Sequence, residues 1–419
     1  MDNTRATPSL PRTAYVLLWF PKPSETFIFR EAKNLAAMGL PLSVHTLYGK
    51  LKRGLSPEMQ ETDIPVKRMG IPWTLALFRD CAYWLFKKPS ETWKLLREVP
   101  FRRWPSLEMA GENLWAFLCG FTLARRFLAE EIQHIHSPWA CGPGTAAWVA
   151  SRLSGIPFSF TGRAHDIYPP DGALREKIRD AAFVRVNTRT NVDYMASFAP
   201  VGHRRKIHLV YNGISLQAKE IAPVPMAEPV RFAALGRLVP TKGYKYLLQA
   251  ANILRDMGLS FRLTIAGSGG QGRKLKRLAR GLELEELVEF PGHLAHHQVP
   301  KLLLGSDVFV MPSVIVKSGN RDGIPNVIME ALAHGLPVVA SDVSGIGEVI
   351  VDRATGFLVP EKDSESLAQA MLTMARNRGK AIEMAARGRA RVLEMFDPTA
   401  NSGTMLELIK SHSLKATAP

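Results

Sequence analysis

The chain has 419 residues, too many for one ordinary hydrophobic core, so two domains are expected. Three widely spaced cysteines (Cys81, Cys119 and Cys141) signal neither a disulfide framework nor a zinc site, and no apolar run reaches the roughly 20 residues of a membrane span. Lysine plus arginine exceed aspartate plus glutamate by 54 − 38 = 16, and residues 1–212 hold 29 − 18 = 11 of that excess, which suits nucleic acid, an acidic substrate or an anionic membrane.

In chain order, the opening MDNTRATPSLPR lacks the basic-then-apolar layout of a secretory signal, so a cytoplasmic location is expected. Short apolar runs then alternate with helical patterns, the signature of parallel sheets joined by crossover helices. Tyr15–Phe20, Leu42–Thr46, Ile132–His136, Phe158–Gly162, Phe183–Thr188 and Ile207–Asn212 predict the strands of a first unit. A helix over Thr26–Met38 is expected after the first of them, capped by Ser24 or Thr26 and ended by Gly39. The Ala-, Pro- and Glu-rich stretch Ser215–Pro229 reads as a linker.

A second unit starts afresh, with strands expected at Arg231–Gly236, Arg262–Ala266, Val288–Phe290, Val308–Met311 and Pro337–Ser341. Helices Tyr244–Met257, Gly272–Leu284, Gln298–Leu304 and Pro325–His334 join these strands, and Asp363–Asn377 and Lys380–Phe396 follow. A last helix near Thr399–Ser411 has no strand to cross to. The fold class is therefore α/β: two tandem Rossmann-like domains, residues 1–212 and 213–396, with residues 397–419 packing back on the first. Such sheets bind ligands at the carboxyl ends of their strands, so an interdomain cleft is expected and the residues just after strands carry the chemistry.

Glu330 is the single charge in the apolar run Val327–Ala333. A buried carboxylate costs several kcal/mol unless paired or hydrogen-bonded, so either a protein cation or ribose hydroxyls must satisfy it. Pro325 suits the first helical position, which leaves the N–H groups of Asn326 and Val327 free at a positive helix end, a ready phosphate site. Asp322, eight residues before Glu330, would face whatever lies beyond the phosphates. Arg237 follows a strand and Lys242 precedes a helix, so the two cations could clamp a diphosphate and steady it as a leaving group.

Other patterns carry less. Gly267, Gly269 and Gly272 have dinucleotide spacing, but Glu289, about 20 residues on, sits within a strand pattern, so a tight turn suffices. His293, His296 and His297 lack a nearby carboxylate or cysteine for a metal site. No Asp-x-Asp pair occurs, so no metal is expected to hold the diphosphate.

Asp322-x7-Glu330, the strand HGLPVV (His334–Val339), SGIGEVI (Ser344–Ile350), TGFLVP (Thr355–Pro360), Gly236-Arg237 with Lys242-Gly243, and Asn212-Gly213-Ile214 together resemble the donor-binding half of retaining glycosyltransferases of family 4, which have the GT-B fold. FPKPSETFIFREAKNL (Phe20–Leu35) and FSFTGRAHDIY (Phe158–Tyr168) are similar to a subgroup that builds bacterial exopolysaccharides, colanic-acid-type transferases among them. The first hallmark acid is aspartate here instead of glutamate, in an Asp-Gly-Ile-Pro variant similar to that subgroup's. The resemblance implies that Asp322, with Gly323 and Ile324, meets the donor sugar and Glu330 the ribose. It implies that Arg237, Lys242, Asn326 and Val327 hold the diphosphate, and that His165 approaches the reacting carbon, making His165 and Asp322 the catalytic candidates. Glu25, Thr26 and Asp166 are candidates for the acceptor, with helix capping the plainer role for the first two. The donor is then a nucleotide-diphosphate sugar and the acceptor a glycan or lipid-linked glycan. A nucleotide-sugar epimerase and an inactive nucleotide-binding subunit share the same layout.

Trp73–Trp104 holds four of the eight tryptophans beside Lys87, Lys88, Arg102 and Arg103, which suits an anionic membrane interface as well as packing within the first domain. No nucleic-acid recognition module appears.

Overall fold

The computed structural model describes residues 10–51, 55–70, 73–102, 104, 106–168, 172–214 and 228–414; the side chains of His165 and His296 lie outside that description. The chain forms two compact units, Met1–Gly213 with Pro398–Pro419, and Ile214–Asp397. Most of the expected linker, residues 215–227, falls outside the described residues.

Among the described residues of the first unit, seven strands form one parallel sheet: β1 (Thr13–Leu17), β2 (Leu42–Thr46), β3 (Val66–Arg68), β4 (His134–Ser137), β5 (Phe158–Gly162), β6 (Phe183–Val186) and β7 (Ile207–Leu209). Their order is β3-β2-β1-β4-β5-β6-β7. Helices cover both faces, which is why the central strands read as continuous runs without alternation. One face packs on helix Thr26–Ala37 and on the last helix, Pro398–His412, through Phe29, Met405 and Ile409. The other packs on helices Leu107–Ala129 and Pro143–Ser154 through Phe117, Phe121 and Trp148. The sheet core also holds a polar layer. His134 and His136 both meet Ser159 Oγ at 2.8 Å, and Arg185 pairs with Glu31 and donates to Val210 O at 3.0 Å.

The second unit has six parallel strands among its described residues: β8 (Val230–Leu235), β9 (Phe261–Ala266), β10 (Val288–Glu289), β11 (Val308–Met311), β12 (Val338–Ser341) and β13 (Phe357–Val359). Their order is β10-β9-β8-β11-β12-β13.

Several expectations need correction. Strands β3 and β13 were not expected; each has three residues and sits at a sheet edge, where pairing on one side needs little length. The β7 and β10 runs are shorter than their apolar stretches suggest, for the same reason. Helix Thr26–Ala37 has no side-chain cap from Ser24 or Thr26; a 3-10 turn, Pro23–Glu25, leads into it instead. Pro325 is the cap of helix Asn326–Ala333, one position before its expected place. Helix Gly272–Gly281 stops three residues early, as Glu283 turns to φ +54.

Candidate active site

In the second unit the strand order reverses between β8 and β11, the kind of switch point at which such sheets bind ligands, and the loops leaving the carboxyl ends of these two neighbours meet there. Arg237 and Lys242 lie on the first loop; Ser313, Asp322 and the start of helix Asn326–Ala333 lie on the second. Main-chain bonds fix both. Val314 N–H donates to Thr241 O (2.8 Å), Leu238 N–H to Ser268 O (2.8 Å), and Ile315 N–H to the Glu361 carboxylate (2.6 Å). Two glycines with left-handed backbone permit this closeness. A Cβ on Gly243 (φ +64) would stand 1.9 Å from Pro312 O, and one on Gly267 (φ +137) would stand 1.9 Å from Gly236 O. The glycine run therefore serves loop packing, and Glu289 is occupied by Thr264 Oγ1 at 2.5 Å.

Where the two loops meet, Lys242 Nζ lies 3.1 Å from Asp322 Oδ2, and Ser313 Oγ donates to the same oxygen at 3.0 Å. The Tyr244 hydroxyl is buried with no hydrogen-bond partner among the described residues; burial, and after it the Asp322 charge, push its pKa up. A methyl group on Gly236 would stand 2.9 Å from that hydroxyl and 3.2 Å from Lys242 Cε, so the glycine leaves room where they converge. Arg237 is exposed and has no ion-pair partner among the described residues.

Glu330 is half-buried, which corrects the expectation of a carboxylate sunk in core. In helix Asn326–Ala333 every residue is buried except Asn326 and Glu330, and His334 follows at the same spacing of four. These three form one uncovered row along the helix. Among the described residues the Glu330 carboxylate has no ion-pair or hydrogen-bond partner, so no protein cation satisfies it. The N–H groups of Asn326 and Val327 also lack acceptors among the described residues, since Pro325 offers no side-chain cap. Gly323 and Ile324 lie between Asp322 and this helix end.

In the first unit the strand order reverses between β1 and β4. Glu25, just after β1, accepts from Lys22 Nζ at 2.6 Å and from Trp139 Nε1, just after β4, at 3.4 Å. Thr26 opens the following helix. His165 lies in the one-turn helix Ala164–Ile167 at the carboxyl end of β5, and its side chain is outside the described residues. Asp166, the third acceptor candidate, lies in the same one-turn helix. It is buried, and its carboxylate accepts from the N–H groups of Arg163 (2.8 Å) and Ala140. Its oxygens hold the β4 and β5 loops together; burial pushes its pKa up to about 7, although those N–H groups pull it down.

Ser313 and Tyr244 were missed in the sequence. Ser313 is the second residue beyond β11, the position rule that singled out Arg237, whereas Tyr244 reads simply as the apolar start of a helix.

Residues 220–391 match the family model of glycosyl transferases group 1. The group 1 segment lies wholly within the second unit. A putative colanic acid biosynthesis glycosyltransferase, WcaL, of Escherichia coli K12 is 38% identical over 167 residues, 40% of this chain and 41% of the relative. The amylovoran biosynthesis glycosyltransferase AmsK of Erwinia amylovora is 34% identical over 170 residues, 41% of this chain and 42% of the relative. The chain thus spans about two fifths of the length of these curated relatives. Solved structures resemble nearly all of it at low identity. A glycosyltransferase of Rickettsia africae has a TM-score of 0.71 at 16% identity, covering 96% of this chain and 98% of its own. Anabaena HepE in complex with UDP and glucose has 0.69 at 18%, covering 96% and 100%. With two parallel sheets in tandem, these likenesses make the fold GT-B.

Proposed function

We propose that this chain is a retaining glycosyltransferase. It moves a sugar from a nucleotide-diphosphate sugar to a glycan or lipid-linked glycan acceptor, in bacterial exopolysaccharide or cell-surface polysaccharide assembly, as a peripheral protein at the cytoplasmic membrane face. The observation that carries the reading is the Lys242–Asp322 pair at 3.1 Å, set at the strand-order reversal of a group 1 segment. A cation for a diphosphate and a carboxylate for sugar hydroxyls stand side by side there.

In this reading the bond between the anomeric carbon and the diphosphate oxygen breaks, and its electron pair leaves on the diphosphate. Lys242, Arg237 and the N–H groups of Asn326 and Val327 stabilise that charge without a metal ion. The acceptor oxygen bonds to the same face of the sugar, and its proton passes to a leaving diphosphate oxygen. Glu330 accepts from the ribose hydroxyls, Asp322 with Gly323 and Ile324 orients the sugar, and His165 attends the reacting carbon. Glu25 and Thr26 hold the acceptor.

The test is nucleotide release from a panel of UDP-, GDP- and ADP-sugars, with the product's anomeric configuration read by NMR. Release from one donor class, lost in Lys242→Ala, is expected. Neither binding nor release with any donor, or an unchanged rate in Lys242→Ala, overturns the reading; conversion of the sugar without release makes the protein an epimerase.

A further inference from the structure

We propose that helix Thr74–Lys87 seats the protein on an anionic lipid bilayer, with its outward stripe of Leu75, Phe78, Ala82 and Phe86 entering the interface. On this helix Leu77, Asp80 and Trp84 turn inward and are buried; the Trp84 indole donates to Phe121 O at 3.0 Å. The opposite positions recur at spacings of three and four, and they are apolar too. Leu75 is 84% exposed, Phe78 65% and Phe86 89%. An ordinary surface helix carries its charges on that face. The next segments continue the pattern with Trp93 at 59% and Phe101 at 84% exposure. Contiguous exposure of this kind marks a binding surface.

Charge identifies the occupant. Helices Thr74–Lys87 and Pro89–Glu98, with Lys88 between them, expose the cations Arg79, Lys87, Lys88, Lys94 and Arg97 against a single exposed carboxylate, Glu98. Asp80 is buried against Arg125, and Glu91 pairs with Arg152. Aromatic side chains ringed by lysine and arginine match an anionic headgroup layer over acyl chains. A second copy fits poorly, because a two-fold contact would set these cations against their own kind. Among the described residues no helix is long and apolar enough to cross a membrane, so the contact lies on the surface. Arg102, one of the cations the sequence offers to lipid, is tied inward to Gly172 O and Glu176, and Arg103 lies outside the described residues.

The inference takes its purpose, though not its evidence, from the glycosyltransferase reading, and flotation without any sugar donor keeps the two apart. The full chain is mixed with vesicles of phosphatidylcholine alone or with one quarter phosphatidylglycerol, beside the variants Phe78→Ser/Phe86→Ser and Lys87→Gln/Lys88→Gln. Wild type should float with the anionic vesicles. Each phenylalanine lost should weaken partition about tenfold, and each lysine about fivefold on anionic vesicles only. Because both phenylalanines point outward, the urea midpoint should not move; if it does, Phe86→Ser alone serves. Wild type failing to float, or floating equally with Phe78→Ser/Phe86→Ser, overturns the proposal. A dimer in solution that becomes monomeric in that variant overturns it in favour of a second copy.

Discussion

Replacing Lys242 by alanine separates its role toward a diphosphate from its role in the fold. In the donor-free chain its ammonium, 12% exposed, faces the Asp322 carboxylate, 21% exposed, across 3.1 Å. A partly exposed pair contributes about 1 kcal/mol at most, so Lys242→Ala should leave the second unit folded. A charge-assisted hydrogen bond to a diphosphate contributes about 1.5–3 kcal/mol, so its loss should weaken nucleoside-diphosphate binding about 10- to 150-fold. The carboxylate, still held by Ser313, would then face the phosphates without its counter-charge, which places the loss toward the upper end. Asp322→Asn should act in the opposite direction. It releases Lys242 from its internal competitor and should tighten diphosphate binding by up to about fivefold, while sugar transfer should fall if Asp322 orients the sugar as proposed. Titration calorimetry with the diphosphate, monophosphate and free nucleoside of one base reads all of this. Equal losses for nucleoside and diphosphate in Lys242→Ala, or a diphosphate affinity unmoved in both variants, would refute the assignment.

Three further outcomes follow from the same geometry. Gly267→Ala places a methyl group 1.9 Å from Gly236 O at φ +137 and should cost the second unit about 3 kcal/mol or more, whereas Gly272→Ala, 3.3 Å from a leucine methyl, should cost under about 1 kcal/mol; calorimetric midpoints decide. Acid should destabilise the first unit. Burial lowers His45 and His134 to about 3, so each unfolded imidazole takes up a proton below its ordinary 6.5 that the folded one refuses, costing about 2 kcal/mol each by pH 5. His136 shifts the same way, also through burial, and Asp166, held up to about 7, opposes them with about 2 kcal/mol between pH 7 and 5. The balance is a loss. All eight tryptophans lie between Trp19 and Trp148, so intrinsic fluorescence follows this unit alone, and a urea midpoint flat from pH 7 to 5 would contradict the account. In the proposed reading side chains and N–H groups supply the diphosphate's counter-charge, so chelation with EDTA should leave nucleotide release unchanged; a chelator-sensitive rate restored by magnesium would reassign that role.

How much of this was legible in the sequence depends on which neighbours decide it. Strands buried on both faces announce themselves as apolar runs, and Val308–Met311 and Phe158–Gly162 are legible to the residue. The three-residue edge strands VKR and FLV carry too little pattern to show. Helix periodicity separates two faces without saying which one looks outward. In Thr74–Lys87 both faces are apolar, so Trp84 and Phe86 read alike although one is core and the other almost fully exposed. Glu330 misled for a related reason. A linear window mixes the buried residues of its helix with the open row Asn326, Glu330, His334, and the charge looks stranded only until the row is seen. The Lys242–Asp322 contact belongs to a third kind. The partners are 80 positions apart, and nothing local to either points to the other. Sequence tells which strand each follows, β8 and β11; it takes the sheet order, in which those two strands are neighbours, to make their loops meet. A parallel sheet that wound in one direction only would keep β11 away from β8, and the same residues would then make no site at all.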